Sequence, residues 1–325
     1  MTVDPRRRFL VAGLLSLFSV SLFSGCGPKY TYPADSVPKS IEDITKKEND
    51  MEVTARVVGK TAGALITLDD LVDDKGQIPK EVHEKMGQVM QAVTRVALST
   101  SREIDFCVVV IRDRSHMNEL TVTRSLDDTK RANSDAIGVE ESINRTLFGQ
   151  GKYVPSAGGE KDFVLKEVKL ENFLAEQIAQ RIRFNFSKDS KEDTATPAFV
   201  LVDGLYDAAA AAKRFRFAML SLKAAEPRET MISVLRTVRD VLGGYHFKDF
   251  NEIEILDYLN RQKLTLDEKT YEAYEAKKMS EQEILDRYLT ESQSIQEAFK
   301  LFGFNLADPS AADTDSPPIP ATATP

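Results

Sequence analysis

The 325-residue chain is 29% charged and 42% hydrophobic, with a formal net charge of −8. That length and composition suit one large globular domain or two small ones. The acidic balance argues against nucleic acid as a partner and against polybasic attraction to anionic lipid.

The chain opens with Arg6, Arg7 and Arg8, an apolar run from Phe9 to Phe23, and then Ser24, Gly25 and Cys26. A positive segment, an apolar core and small residues at the end are the three parts of a secretory leader. The apolar run is about 15 residues, short of the roughly 20 that cross a bilayer core. Leu22-Phe23-Ser24-Gly25-Cys26 resembles the lipobox of bacterial lipoproteins, with Phe23 where Leu is usual. The resemblance implies cleavage between Gly25 and Cys26, diacylglyceryl and acyl chains on Cys26, and a mature chain outside the cytoplasm. The membrane link would then come from lipid, and two attached chains are what stable anchoring takes. Arg6-Arg7-Arg8-Phe9-Leu10 also resembles the core of a twin-arginine export signal, with Pro5 and Val11 departing from the pattern. General secretion and twin-arginine export both stay open. Gly27 in place of Asp favours the outer membrane, facing the periplasm, in a cell that has one.

Residues 26–50 read as a tether and a short helix. Pro28, Pro33 and Pro38 keep the tether extended, and Ser40 is placed to cap the helix. Residues 51–190 form an expected first lobe. Glu52–Val58 alternates as a strand and Ala64–Leu68 is a second, with Gly59 and Gly63 bracketing the connection of a hairpin. Pro79 opens a helix with Val82, Met86, Val89, Val93 and Val96 at helical spacing. Asp105–Ile111 and Glu119–Ser125 are a second strand pair. Cys107 lies in the apolar run of the first strand and reads as a packed small hydrophobe. With Cys26 acylated, no intramolecular disulfide is possible. Asp127 and Asp128 cap a helical segment, Gly138 breaks it, and a second piece runs over Val139–Phe148. Gly149–Lys161 reads as a loop. Leu170, Phe173, Leu174, Ile178 and Ile182 mark another amphipathic helix. The polar stretch Ser187–Thr196 is the expected lobe boundary.

Residues 191–305 form the second lobe. Phe199–Leu205 and Phe215–Leu222 are strands with the Ala208–Ala212 run between them. Pro227 starts a helix with Met231, Leu235, Val238 and Leu242 on one face, and Gly243-Gly244 ends it. Glu252–Tyr258 and Lys263–Leu266 are a fourth pair, followed by a helix from Asp267. Ser280-Glu281-Gln282-Glu283 is a capping box. The stripe Ile284, Tyr288, Ile295, Phe299 and Phe302 extends that helix as far as Gly303. Residues 306–325 are a Pro-, Ala- and Thr-rich tail without apolar anchors, expected to be disordered.

Four strand–strand–helix units recur without residue-level self-similarity. The class is α+β, with antiparallel sheets and packed helices, in one or two lobes. Signals for chemistry are incomplete. Gly59-Lys60-Thr61 ends a phosphate-loop pattern whose first glycine is missing at Thr54, and a strand follows it, so a hairpin turn is the better reading. His83, His116 and His246 share no metal-binding spacing. Asp69, Asp70, Asp73, Asp74 and Glu81 suggest calcium, but Lys75 stands where a calcium loop needs glycine. Ser156-Ala157-Gly158-Gly159 lacks the nucleophile elbow. Tyr271, Tyr274 and Tyr288 read as the edge of a core. No cofactor is expected. The expected function is non-catalytic: binding or scaffolding another envelope protein. The alternatives are capture of a small molecule or glycan, and a hydrolase whose residues meet only in space.

Overall fold

The computed structural model describes residues 30–73, 77–115, 117–153, 163–189, 200–208, 212–221 and 227–292. Cys26, Gly25, the leader and residues 306–325 lie outside them. So do His116, Ser156–Gly159, Asp74, Lys75, Ile295, Phe299 and Phe302. The chain divides into two compact units, Met1–Lys130 with Gly149–Glu167, and Arg131–Phe148 with Val168–Pro325. The division therefore falls ahead of the polar stretch 187–196.

In the first unit, helix α1 (Val37–Asn49) has Ser36 as N-cap and Pro38 in its first turn, where a missing N–H forfeits no helical bond. It begins ahead of the Ser40 expected to cap it. Val37 and Ile41 are fully buried, so the helix is part of the core rather than of a tether. β1 (Thr54–Val58) and β2 (Thr61–Leu68) form the expected antiparallel hairpin, with Gly59 at φ +54° in its turn. Helix α2 (Lys80–Leu98) follows, with Pro79 one place before its first residue. β3 (Phe106–Asp113) and β4 (Asn118–Ser125) pair antiparallel. Between the hairpins the pairing is parallel, from Thr61 opposite Phe106 to Leu68 opposite Asp113. Parallel neighbours need a crossover, and α2 supplies it. The sheets are thus mixed, a detail that short loops within each pair did not reveal. The apolar faces of α1 and α2 close on Ala62, Ala64 and Ile66 of β2, and on Cys107, Val109 and Ile111 of β3.

Helices α3 (Leu126–Asn133) and α4 (Val139–Asn144) lead to β5 (Leu147–Lys152), which completes the order β1-β2-β3-β4-β5. A helix to Phe148 and a loop from Gly149 were expected. A strand forms there because β4 supplies backbone partners that overrule the weak local strand propensity of Gly149 and Gly151.

The second unit contains α5 (Leu170–Asp189), β6 (Val200–Asp207), β7 (Arg214–Ser221), α6 (Pro227–Tyr245), β8 (Glu252–Asp257) and β9 (Gln262–Asp267). It closes with α7 (Glu268–Glu275), α8 (Glu281–Tyr288) and β10 (Leu289–Glu291). Its sheet runs β10-β9-β8-β7-β6, with β7 and β8 parallel and the other pairs antiparallel. The capping box at Ser280 and Glu283 forms as expected. The helix it starts ends at Tyr288, because Leu289 turns extended and pairs with Leu264. Gly243 and Gly244 lie inside α6 rather than after it. A Cβ on Gly244 would come 3.0 Å from Arg145 Nη2. Arg145 is buried there, 4.7 Å over the Tyr245 ring and bonded through Nε to Glu141. Burial works to raise the Glu141 carboxyl, but Arg181 and Arg145 hold it below its ordinary value.

The chain therefore runs twice through one order: helix, strand pair, helix, strand pair, two short helices, closing strand. The joints repeat as well. Asp105 and Phe106 both donate their N–H groups to the Lys60 carbonyl, and Asn251 and Glu252 do the same to Lys213. The Leu126 N–H reaches the Asp105 carbonyl, as the Glu268 N–H reaches Asn251. α3 and α7 end in the same left-handed C-terminal motif. Ala136 donates to Arg131 and Lys278 to Ala273, with Asp135 and Lys277 both at φ 57°.

Candidate functional site

A cleft of about 510 Å³ opens on the second unit. Helix α6 builds most of it. Its buried stripe, Met231, Val234, Leu235, Val238 and Leu242, faces the core. The complementary face presents Glu229, Ser233, Arg236 and Asp240, which helical spacing places in one row. Ile232 and Thr237 flank the row, and Asn185 of α5 and Gln282 of α8 complete the lining.

The polar groups are held. Asn185 Nδ2 donates to Thr237 Oγ1 at 3.3 Å. Arg228 donates to Gln282 at 3.1 Å and to Asp286 at 2.6 Å, fixing the α8 side. Arg236 Nε donates to Glu281 at 3.1 Å, and the Tyr274 hydroxyl donates to the same oxygen at 3.3 Å. Burial works to raise the Glu281 carboxyl, but its own N–H, Arg236 and Tyr274 together hold it below the ordinary glutamate value. The Tyr274 hydroxyl is pushed well up, first by burial. Tyr274 and Tyr271 are 2% and 1% exposed, which makes them core rather than a ligand platform. The cleft thus offers carboxylates, a guanidinium, hydroxyls and amides around one aliphatic side chain. That set exchanges hydrogen bonds with polyhydroxylic or peptide groups.

A second cleft, of about 480 Å³, lies in the first unit, where β2 outruns its partner. Thr54 pairs with Leu65, so Ile66, Thr67 and Leu68 have a strand on the β3 side alone. Lys85 and Arg114 border it, paired with Glu81 at 2.7 Å and Asp69 at 3.4 Å. Neither lining includes a histidine or a cysteine.

Other residues singled out in the sequence do not converge. Gly59 and Lys60 form the β1–β2 turn. Lys60 N–H donates to Glu167, and its ammonium pairs with Glu103 and Asp105. His83 is exposed on α2, with Nδ1 3.1 Å from the Pro79 carbonyl oxygen. His246 follows α6 at φ 52°. Asp73 accepts from the Gln77 N–H. No group of three or more His, Cys, Asp or Glu able to hold a metal occurs among the described residues. Cys107 is 1% exposed, and burial pushes its thiol up to about 12. It is a packed thiol, as its strand implied. No described helix is long and apolar enough to cross a membrane. The polar row on α6 was missed from the sequence. Its spacing is legible, but any solvated helix face has the same pattern until Asn185 and Gln282 stand opposite it.

No family model and no curated protein matches the chain. Among solved structures it is similar to the sex pheromone staph-cAM373 precursor, at 10% identity over 71% of this chain and 78% of that one, with a TM-score of 0.19. It is also similar to a sex pheromone precursor from Lactobacillus salivarius subsp. salivarius, at 13% identity over 66% of this chain and 62% of that one, with a TM-score of 0.15. Likeness at that level carries no argument about fold or function.

Proposed function

We propose that the protein is an exported lipoprotein of the bacterial envelope, held to a membrane by lipid on Cys26, that binds another envelope component without catalysis. The observation that carries this reading is Leu22-Phe23-Ser24-Gly25-Cys26 at the end of an arginine-led apolar run. Gly27 after the cysteine supports the outer membrane where there is one. The α6 cleft supports binding, since its carboxylates, amides, hydroxyls and Arg236 can exchange hydrogen bonds with a bound group. Replacing Cys26 by Ala tests the anchor. The wild-type chain should fractionate with membranes and extract with detergent, and the variant should not. A wild-type chain already soluble after export would refute the anchor. Crosslinking in cells, followed by identification of what travels with the protein, tests the partner.

The polar lining of the α6 cleft favours a second reading, capture of a glycan or small polar molecule. A soluble chain starting near Thr31 can be titrated with sugars, peptidoglycan fragments, nucleotides and divalent metals while the thermal midpoint is followed. Saturation at 100 times the dissociation constant stabilises by about 2.7 kcal/mol, a shift of roughly 2–4 °C per kcal/mol at this size. A shift with a sugar that Arg236→Ala abolishes would favour capture. Turnover of any compound would refute the non-catalytic reading.

A further inference from the structure

The outer face of the second sheet carries a buried apolar strip. Strand alternation sends Phe217 and Met219 of β7 inward, and so turns Ala218 and Leu220 to the opposite face. The inner face is the one α5 covers, as Gly204 of β6 lies against the Ala175 carbonyl. Across the outer face Leu201 pairs with Leu220, and Ala218 with Leu256. With Tyr258 they form one cluster in which Ala218, Leu220, Leu256 and Tyr258 are 1–5% exposed.

The first sheet has the equivalent face, and there the cover is known. After β5 the chain returns across it. Leu165 sits on Gly63, 2.8 Å from where a Cβ would be, and Phe163 is 1% exposed. Tyr153 lies under Arg112 at 4.3 Å. Glu167 ends the run by accepting the Lys60 N–H. The covering residues are those that follow the closing strand of the repeated order.

The chain after β10 holds the same place in the second repeat. It reads Ile295-Gln296-Glu297-Ala298-Phe299-Lys300-Leu301-Phe302-Gly303-Phe304, with five large apolar residues in ten, before the Pro- and Thr-rich tail begins. We infer that the outer face of the second sheet is the seat of the chain's own Ile295–Phe304 segment, which closes the second unit as 163–167 closes the first. The Leu201–Leu220–Leu256 strip receives its apolar side chains. The Arg214, Arg216, Glu254 and Lys263 band beside the strip bounds it on the polar side.

A photo-crosslinking residue at Phe302 in the full chain tests this. The expected product is an intramolecular link to peptides of β7 or β8. Links to other parts of the chain alone, or to a second molecule alone, would overturn the inference. As an independent reading, Phe299→Ser with Phe302→Ser in the full chain should lower the thermal midpoint by several degrees and raise binding of an apolar dye several-fold. Unchanged values in both would overturn it as well. Phe304→Ser alone, a milder change, should move both readings in the same direction.

Discussion

The two units share an order of elements and solve the packing problem in opposite ways. On β2 the inward positions are Ala62, Ala64 and Ile66; at the same register on β7 they are Phe215, Phe217 and Met219. The first core is aliphatic. The second is a run of rings in which Phe215 meets Tyr206, Phe217, Phe247 and Phe250 at centroid distances of 4.9 to 6.1 Å, and Phe250 meets Tyr271 at 5.3 Å. The outer faces differ too. Val108 on β3 corresponds to Glu254 on β8, and Gly63 on β2 to Arg216 on β7. Side chains can be exchanged wholesale if the total volume is kept. The backbone joints cannot, and they are what the two halves have in common.

The largest expected effect comes from forcing one core to imitate the other. Phe217→Ala empties a fully buried site in the ring cluster and should cost about 3–5 kcal/mol in denaturant unfolding. Ala64→Phe in the first unit should cost about 1–3 kcal/mol, by overpacking rather than by a cavity. Equal tolerance of both changes would break the comparison.

Next is the outer face. The Glu254 side chain is 5% exposed and faces Arg216 at 3.1 Å, Lys263 at 2.5 Å and Arg214 at 3.8 Å. Glu254→Val, which copies Val108, leaves those cations without that carboxylate. A loss of about 2–3 kcal/mol is expected, below the full cost of a broken buried pair because the cations keep a third of their side-chain exposure.

Alkaline titration separates the units by smaller steps. The buried Cys107 thiol titrates near 12 in the fold, and an unfolded thiol near about 8.5. The unfolded chain releases that proton first, so stability is intact below about 8.5 and falls by about 1.4 kcal/mol per pH unit above it. Ile253 holds the corresponding place in the second unit and does not titrate. There Tyr271, raised by burial, begins to cost stability only above about 10. Hydrogen exchange should report loosening of β3 before β8 as pH rises, and Cys107→Ala should remove the early loss.

The smallest effect lies at a joint. Lys277 and Asp135 occupy the same left-handed position, which Asp tolerates better than Lys. Lys277→Gly should raise stability by up to about 1 kcal/mol, and Asp135→Gly by less. A larger gain at Asp135 would show that the two joints are not equivalent.

Strand pairs and long helices were legible because each has its own pattern: a continuous apolar run in β3, alternation in β8, a 3.6-residue stripe in α2 and α6. The Ser280 capping box was legible because both partners lie within one turn. What stayed hidden depends on partners distant in sequence. β5 and β10 are strands because β4 and β9 lie beside them, and the glycine at 244 inside α6 leaves room for Arg145 rather than ending the helix. The twofold order was hidden because side chains at matching positions, Ala64 and Phe217 or Val108 and Glu254, share neither size nor charge. The α6 cleft was half legible: its row lies on one helix, its walls on two others.

The first unit is interrupted. Between Lys130 and Gly149 the chain leaves it for eighteen residues that belong to the second. Thr146 and Arg145 in that excursion give their carbonyls to Gln180 and Gln177 of α5, and Arg131 donates to the Gly244 carbonyl. A polypeptide threaded outward from its N-terminus therefore delivers the last strand and the cover of the first sheet before the helices that hold the excursion have emerged. One proteolytic nick cannot part the molecule into two whole halves. Any fragment that keeps the first sheet entire carries away a helix of the second, so separate preparation of the halves requires rejoining the chain across the excursion with a new turn.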